Sequence, residues 1–216
     1  MRSMKTVALW LTLAIAQFLS VHQAAASVTA LQTFFNEVSS LEAQFTQRVT
    51  DERGMLLEQS SGIFSLSRPG KFRWDYRAED GASSARGTQI VADGEYLYMY
   101  DPELKQMSQR RLQDALGQVP SLLLVQSEAD IEHHFVITEL GLTDGLTWVA
   151  LKPRDPDAGY QQLMIGFFEQ QISQIVLLDG LGNETRLQLT GLRENLSLPA
   201  GRFSIKAPAG TDILFQ

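Results

Sequence analysis

Two groups of side chains in this sequence could do chemistry, and each lacks something the chemistry needs. His133-His134 stand beside Glu132, with Asp130 close by, and are the natural candidates for a metal site or an acid–base pair. Successive side chains on a strand point to opposite faces. Two neighbouring imidazoles there diverge and do not readily ligate one ion, so the segment reads as an exposed pair at a strand start. Ser60-Ser61-Gly62 supplies hydroxyls but not the G-x-S-x-G elbow that exposes a serine nucleophile, and no triad partner is assured. The sequence contains no cysteine. That excludes disulfides, thiolate metal sites and cysteine nucleophiles together. There is no G-x-G-x-x-G, no P-loop and no H-E-x-x-H. The reading is of a protein that is not an enzyme and has no cofactor and no metal.

The elements around these groups are mostly strands. Val28 to Val38 predicts a short amphipathic helix, with Leu31, Phe34, Phe35 and Val38 on one stripe. Leu41, Ala43, Phe45 and Val49 then alternate, and Gln47 is the one polar break in that series. Ile63 to Leu66 is a strand candidate. Lys71 to Arg77 alternates strictly, with Phe72, Trp74 and Tyr76 on one face and four charges on the other. Asp93-Gly94 between Ile90-Val91-Ala92 and Tyr96 to Tyr100 is a strong hairpin signal. Met107 lies on a further strand candidate. Phe135 to Ile137, Leu146 to Leu151, Leu163 to Phe168, Ile172 to Leu178 and Thr185 to Leu189 follow, and Phe203-Ser204-Ile205 closes the chain. Arg111 to Gly117 predicts one or two helical turns, and Pro120 to Val125 a short apolar helix begun by proline. Strands at this steady spacing predict one antiparallel sheet that curls into a barrel or half-barrel.

The N-terminus reads as an address. Arg2 and Lys5 precede an apolar run from Val7 to Leu19, and Ala24-Ala25-Ala26 offers a signal-peptidase site before Ser27. The run is too short for a comfortable membrane span. Residues 1–26 are therefore expected to be a signal peptide, and 27–216 a single domain of an exported, soluble, monomeric protein. Cleavage removes Arg2 and Lys5 from 18 basic side chains, leaving 16 against 25 acidic and a net charge of −9. Such a surface is a poor match for nucleic acid or for anionic lipid heads.

The apolar supply is one-sided. Phe72, Trp74 and Tyr76 share a face; Tyr96, Tyr98 and Tyr100 share another, opposite Leu97 and Met99; Met164, Phe167, Phe168, Leu177 and Leu178 add bulk. Either these side chains form an ordinary β core under two short helices, or a curved sheet keeps a hollow for an apolar ligand.

An ordered set of motifs bears on that choice. Phe45-Thr46-Gln47, Ser60-Ser61-Gly62-x-Phe64, Arg68-Pro69-Gly70-Lys71-Phe72-Arg73-Trp74-Asp75-Tyr76, Val91-Ala92-Asp93-Gly94 and Tyr98-x-Tyr100-Asp101-Pro102 come first. Ser121 to Leu124 after Pro120, Trp148-x-x-Leu151-x-Pro153, Asp179-x-x-Gly182 and Phe203-x-Ile205-x-x-Pro208-x-Gly210 follow. From Phe34 to Asp212 this series resembles the LolA family of outer-membrane lipoprotein carriers.

The resemblance implies a mainly β fold: an incomplete antiparallel β-barrel covered by a helical lid over an apolar cavity. It implies a periplasmic carrier that catalyses nothing. The carrier accepts acylated lipoproteins from an inner-membrane ABC-type release complex and delivers them to an outer-membrane lipoprotein receptor. It also implies that Arg68 latches the lid by hydrogen-bonding lid carbonyls, that Phe72 sits near the cavity mouth, that Trp74 lines the wall and that Leu122, Leu123 and Leu124 form the lid's apolar face. The stretch from Ala78 to Gly87 is longer than the family pattern and reads as an exposed loop. The alternative is a periplasmic binding or sensor module for other acylated ligands.

Overall fold

Alternation of large apolar and polar residues governs the chain from Ser40 onward, and the backbone follows it into strands. The computed structural model describes residues 28–77, 86–115, 124–125 and 128–215. Helix α1 (28–37) leads into β1 (Ser40–Thr50), β2 (Leu56–Ser67), β3 (Lys71–Arg77), β4 (Arg86–Asp93), β5 (Tyr96–Asp101) and β6 (Gln106–Arg111). Two short helices, α2 (Leu112–Ala115) and α3 (Glu128–His134), precede β7 (Phe135–Thr143), β8 (Leu146–Pro153), β9 (Tyr160–Phe168), β10 (Gln171–Asp179) and β11 (Glu184–Glu194). A 3-10 turn (Ala200–Phe203) and β12 (Asp212–Phe215) end the described chain.

All twelve strands belong to one sheet, in the order β12-β6-β5-β4-β3-β2-β1-β11-β10-β9-β8-β7. Every pairing is antiparallel except that of β12 with β6. Among the described residues β7 and β12 each have a single neighbour, so the sheet is open rather than a closed barrel. It is nonetheless strongly curved. Ile90 of β4 and Leu163 of β9 stand six strand positions apart, roughly 29 Å across a flat sheet at about 4.8 Å per strand, yet both line one pocket.

The register assigns the faces. Phe72, Leu66 and Leu41 lie opposite one another, as do Trp74, Phe64 and Ala43, and Tyr76, Gly62, Phe45 and Leu189. Directly opposed residues share a face, so these form the concave wall. Helix α1 adds Ala30, Leu31, Phe34 and Phe35, with Val38 just beyond it, to the same buried cluster. The spacing of those residues puts them on one stripe, which is why this segment is helical and why its stripe is buried.

Several expectations need correction. His133 and His134 do not start a strand; they close α3, exposed, with ring centroids 4.9 Å apart. Ile131 is the one buried hydrophobic described in α3 and makes no apolar stripe alone, so this helix is not legible from periodicity. Phe203-Ser204-Ile205 is not a closing strand. Phe203 ends the 3-10 turn, and the last strand comes nine residues later, held parallel to β6 by residues far away in sequence. Strand β2 begins at Leu56 because it follows β1 along its whole length, although its first half shows no alternation. Tyr96, Tyr98 and Tyr100 face away from the concave wall, since Leu97 lies opposite Ala92 and Met99 opposite Ile90. The signal-peptide residues, most of the Ala78–Gly87 loop and Pro120 to Leu123 lie outside the described residues.

Candidate ligand-binding pocket

The concave wall carries a cluster of aromatic rings. Trp74 stacks on Phe64 at 4.2 Å between ring centroids and meets Phe45 edge-on at 4.7 Å. Phe45 in turn meets Tyr76 edge-on at 5.1 Å. Offset and edge-to-face contacts of this kind are the favoured arrangements of aromatic pairs. Gly62 makes the packing possible: a Cβ there would lie 2.7 Å from the Phe45 ring and 2.0 Å from the Asp75 carbonyl oxygen.

Beside this cluster the sheet leaves a pocket of about 140 Å3. Trp74, Ile90, Leu163, Ile175, Leu177 and Leu187 supply apolar walls from five strands, and Leu124 closes it from the short helical turn at 124–125. Gln47, Tyr76 and Thr185 are its polar members. The Tyr76 hydroxyl donates to the Gln47 amide oxygen at 3.3 Å. Burial, assisted by the nearby charge of Glu58, pushes the Tyr76 phenol up to about 12, so it stays neutral through the physiological range. Ser60 lies opposite Gln47 in the β1–β2 ladder and therefore on the same face; its hydroxyl oxygen is buried without a hydrogen-bond partner among the described residues.

Arg68, in the turn between β2 and β3, ties three separate pieces of backbone together. Its Nη1 donates to the carbonyl oxygens of Phe34, at 3.1 Å, and of Val38. Its Nη2 donates to the carbonyl oxygen of Leu124 at 2.9 Å. Phe34 belongs to the last turn of α1, and its carbonyl oxygen also accepts from the Val38 N–H at 3.3 Å, so Arg68 adds a second bond there. The guanidinium also lies over the Phe34 ring, 4.6 Å from its centroid. The main chain of the turn repeats the connection: Arg68 N–H donates to Ser39 and Gly70 N–H to Val125. The Arg68–Pro69 peptide bond is cis. Burial lowers the Arg68 pKa to about 10, which still leaves it cationic at neutral pH.

The opposite face is closed by charge. Arg73 Nε pairs with Asp75 at 2.7 Å, and its Nη1 donates to the carbonyl oxygen of Ser204 at 3.2 Å. Gln89 donates to Asp75 at 3.1 Å. Arg202, from the 3-10 turn, donates to Ser65 at 2.9 Å and pairs with Glu42 at 3.4 Å and Asp75 at 3.6 Å. Phe203 beside it is buried. The C-terminal segment thus straps across the outside of β1 to β4.

Of the residues singled out from sequence, Trp74 and Leu124 line the pocket, and Arg68 reaches it only through the carbonyl oxygen of Leu124. Phe72 does not line it and does not sit at a mouth. It is 0% exposed, between Leu66 and Ala92 in the core. Leu122 and Leu123 lie outside the described residues. Gln47 and Thr185, which line the pocket, and Ser60, which lies opposite Gln47, were not anticipated, whereas Tyr76 was placed only on the aromatic face. Their one signal was Gln47 as the polar break in an otherwise apolar strand face. Among the described residues no group of three or more His, Asp or Glu is placed to hold a metal ion, and no helix is long and apolar enough to cross a membrane.

The fold class is an open, curved antiparallel sheet with few helices and a pocket in its apolar inner wall. A conserved protein of Thermus thermophilus has this fold, with a TM-score of 0.53 at 12% identity over 89% of this chain and 99% of that one. The family model for "Outer membrane lipoprotein carrier protein LolA" matches residues 36–206. An outer-membrane lipoprotein carrier protein of Methylobacillus flagellatus is 35% identical over 187 residues, 87% of this chain and 88% of that one. One of Cupriavidus necator is 36% identical over 195 residues, 89% of each chain. The chain belongs to the LolA family.

Proposed function

We propose that this protein is a periplasmic carrier that takes up the acyl chains of lipoproteins released from the inner membrane and delivers them to an outer-membrane receptor. The observation that supports it most is the pairing of an apolar concave wall with a cover held by one arginine. Each buried methylene is worth about 0.8 kcal/mol, so one long acyl chain gains on the order of 10 kcal/mol by leaving water. The pocket, about 140 Å3, is close to the roughly 150 Å3 that accommodates a benzene molecule. An acyl chain needs much more. The cover formed by α1 and the segment around Leu124 must therefore move when cargo enters.

Arg68 is the latch in this scheme. Hydrogen bonds to charged donors are worth roughly 1.5–3 kcal/mol each, so three of them hold the lid by several kcal/mol. That is less than acyl burial returns, and a lid with two arrangements of comparable energy both accepts and releases its load. Phe72, Leu66 and Leu41 form the immobile floor beneath it. The donor is an inner-membrane ABC-type release complex, and the acceptor a lipoprotein receptor.

The test is release of a lipoprotein from spheroplasts on addition of the protein, followed by transfer to outer-membrane vesicles bearing the receptor. The wild type releases and transfers. Arg68→Leu folds and takes up cargo but transfers several-fold more slowly. An unchanged transfer rate eliminates the latch, and failure of the wild type to release any lipoprotein eliminates the carrier. Release without transfer favours a binding or sensing module for acylated ligands.

A further inference from the structure

The concave wall is not uniformly apolar. Along β1 it runs Leu41, Ala43, Phe45, then Gln47; along β2 it runs Leu66, Phe64, Gly62, then Ser60 and Glu58; along β3 it runs Phe72, Trp74, then Tyr76. One end is hydrocarbon and the other is polar. Gln47 and Ser60 are directly opposed, and Tyr76 lies opposite Gly62, one step along the same face. The two polar groups on this wall that bond to each other, the Tyr76 hydroxyl and the Gln47 amide oxygen, do so at 3.3 Å. That bond uses the phenol proton and the amide oxygen and fixes the amide of Gln47, whose N–H groups are donors. Beside it the Ser60 hydroxyl is buried with no partner among the described residues. Buried polar groups in folded proteins are almost always bonded, and an exception calls for an explanation.

We propose that Gln47, Ser60 and Tyr76 form a seat for the carbonyl linkage at the root of an acyl chain, so that this pocket takes acyl esters and amides in preference to bare hydrocarbon tails. This rests on the carrier reading above and deepens it. The chain lies toward Trp74 and Leu187, and the linkage carbonyl accepts hydrogen bonds from the Gln47 amide and the Ser60 hydroxyl. Thr185 lines the same pocket and adds a hydroxyl. The chemistry selects a neutral carbonyl over a free carboxylate. Tyr76 remains an uncharged phenol, and Glu58, which lies two residues before Ser60 on the same strand, acts on it electrostatically and repels an anion. A site that satisfies a carbonyl discriminates against an analogue lacking it, because the site's own donors are then left unpaired.

The experiment compares two ligands of equal chain length, a diacylglycerol and its ether-linked dialkyl counterpart, by displacement of a fluorescent alkyl probe from the full mature chain. The wild type binds the ester about tenfold more tightly than the ether. The double variant Gln47→Leu/Tyr76→Phe brings the two within about twofold of each other, and an unchanged far-ultraviolet circular dichroism spectrum reports that the variant is folded. Ser60→Ala, the least disruptive change, narrows the ratio in part. Equal binding of both ligands by the wild type overturns the seat and leaves the carrier standing. Retention of the full ester preference by the double variant also overturns it. If neither ligand displaces the probe, the carrier reading falls and the seat with it.

Discussion

The two faces of β3 solve opposite problems with alternating residues of the same seven-residue segment. Inward, Phe72, Trp74 and Tyr76 present rings to a wall that keeps a pocket; outward, a buried Arg73 and a half-buried Asp75 join a network of charge and hydrogen bonds. The inner wall is held by contacts that are non-directional and individually weak, and the directional ties beside it are those of Arg68 to the carbonyls of Phe34, Val38 and Leu124. The outer face is held by directional, charge-assisted bonds that lose much of their value if one partner leaves. Rigidity placed behind the wall lets the wall itself stay receptive. The C-terminal strap supplies that backing through Arg202 and Phe203.

The largest predicted effect tests whether the outer network is what stiffens the sheet. Arg73→Leu leaves the Asp75 carboxylate and the Ser204 carbonyl short of their donor in a region where the Arg73 side chain is 10% exposed. Removing one member of a buried pair costs roughly 3–5 kcal/mol. Arg202, 3.6 Å from Asp75, compensates in part, so the expected loss is about 3 kcal/mol by denaturant unfolding. Affinity for an acyl ligand, measured on the folded fraction, stays unchanged. A loss below about 1 kcal/mol, the range of an exposed pair, shows the network to be a solvated decoration.

A smaller effect sharpens the other side of the comparison, because it asks whether the polar end of the inner wall is dry. The Tyr76 phenol has a folded pKa of about 12 against an ordinary value of 10.0. An acid whose pKa is raised by folding contributes fully below its unfolded value, and the contribution disappears as pH rises through the folded one. Stability therefore falls between pH 10 and 12. The fall due to Tyr76 is about 2 kcal/mol, and Tyr76→Phe removes it. Tyr160, also raised to about 12, titrates in the same window in both proteins and cancels from the difference. Wild type and variant with parallel pH profiles place the Tyr76 hydroxyl in water.

How much of this was legible in sequence depends on how local the cause is. Alternation in Lys71 to Arg77 identifies β3 and its aromatic face with no knowledge of the partners, and Asp93-Gly94 identifies the β4–β5 turn. Arg68 became visible through the ordered motifs around it, because the carbonyls it reaches are 30, 34 and 56 residues away. Composition cannot say that Arg73 is buried and Asp75 half-buried: on one strand they look like a solvated face, and only the strap, more than a hundred residues later, covers them. The same non-local cause hides β12, whose four exposed residues pair with β6. Ser60 shows the limit in another way. A serine in a strand is ordinary until its neighbour across the ladder proves to be Gln47 and its oxygen proves to be sealed from water.

The smallest predicted effect marks where the outer network ends. Arg193 bonds Glu42 at 2.5 Å, a shorter contact than the pair of Arg202 with the same carboxylate at 3.4 Å. Distance alone would rank Arg193 first. Its side chain, however, is 64% exposed against 26% for Arg202, so water and salt replace it easily while nothing replaces Arg202 beneath the strap. Arg193→Ala is expected to cost no more than about 0.5 kcal/mol, and less in high salt, whereas Arg202→Ala costs about 2 kcal/mol at any ionic strength. Equal losses for the two would mean that proximity to Glu42, and not enclosure by the C-terminal segment, sets the strength of this face.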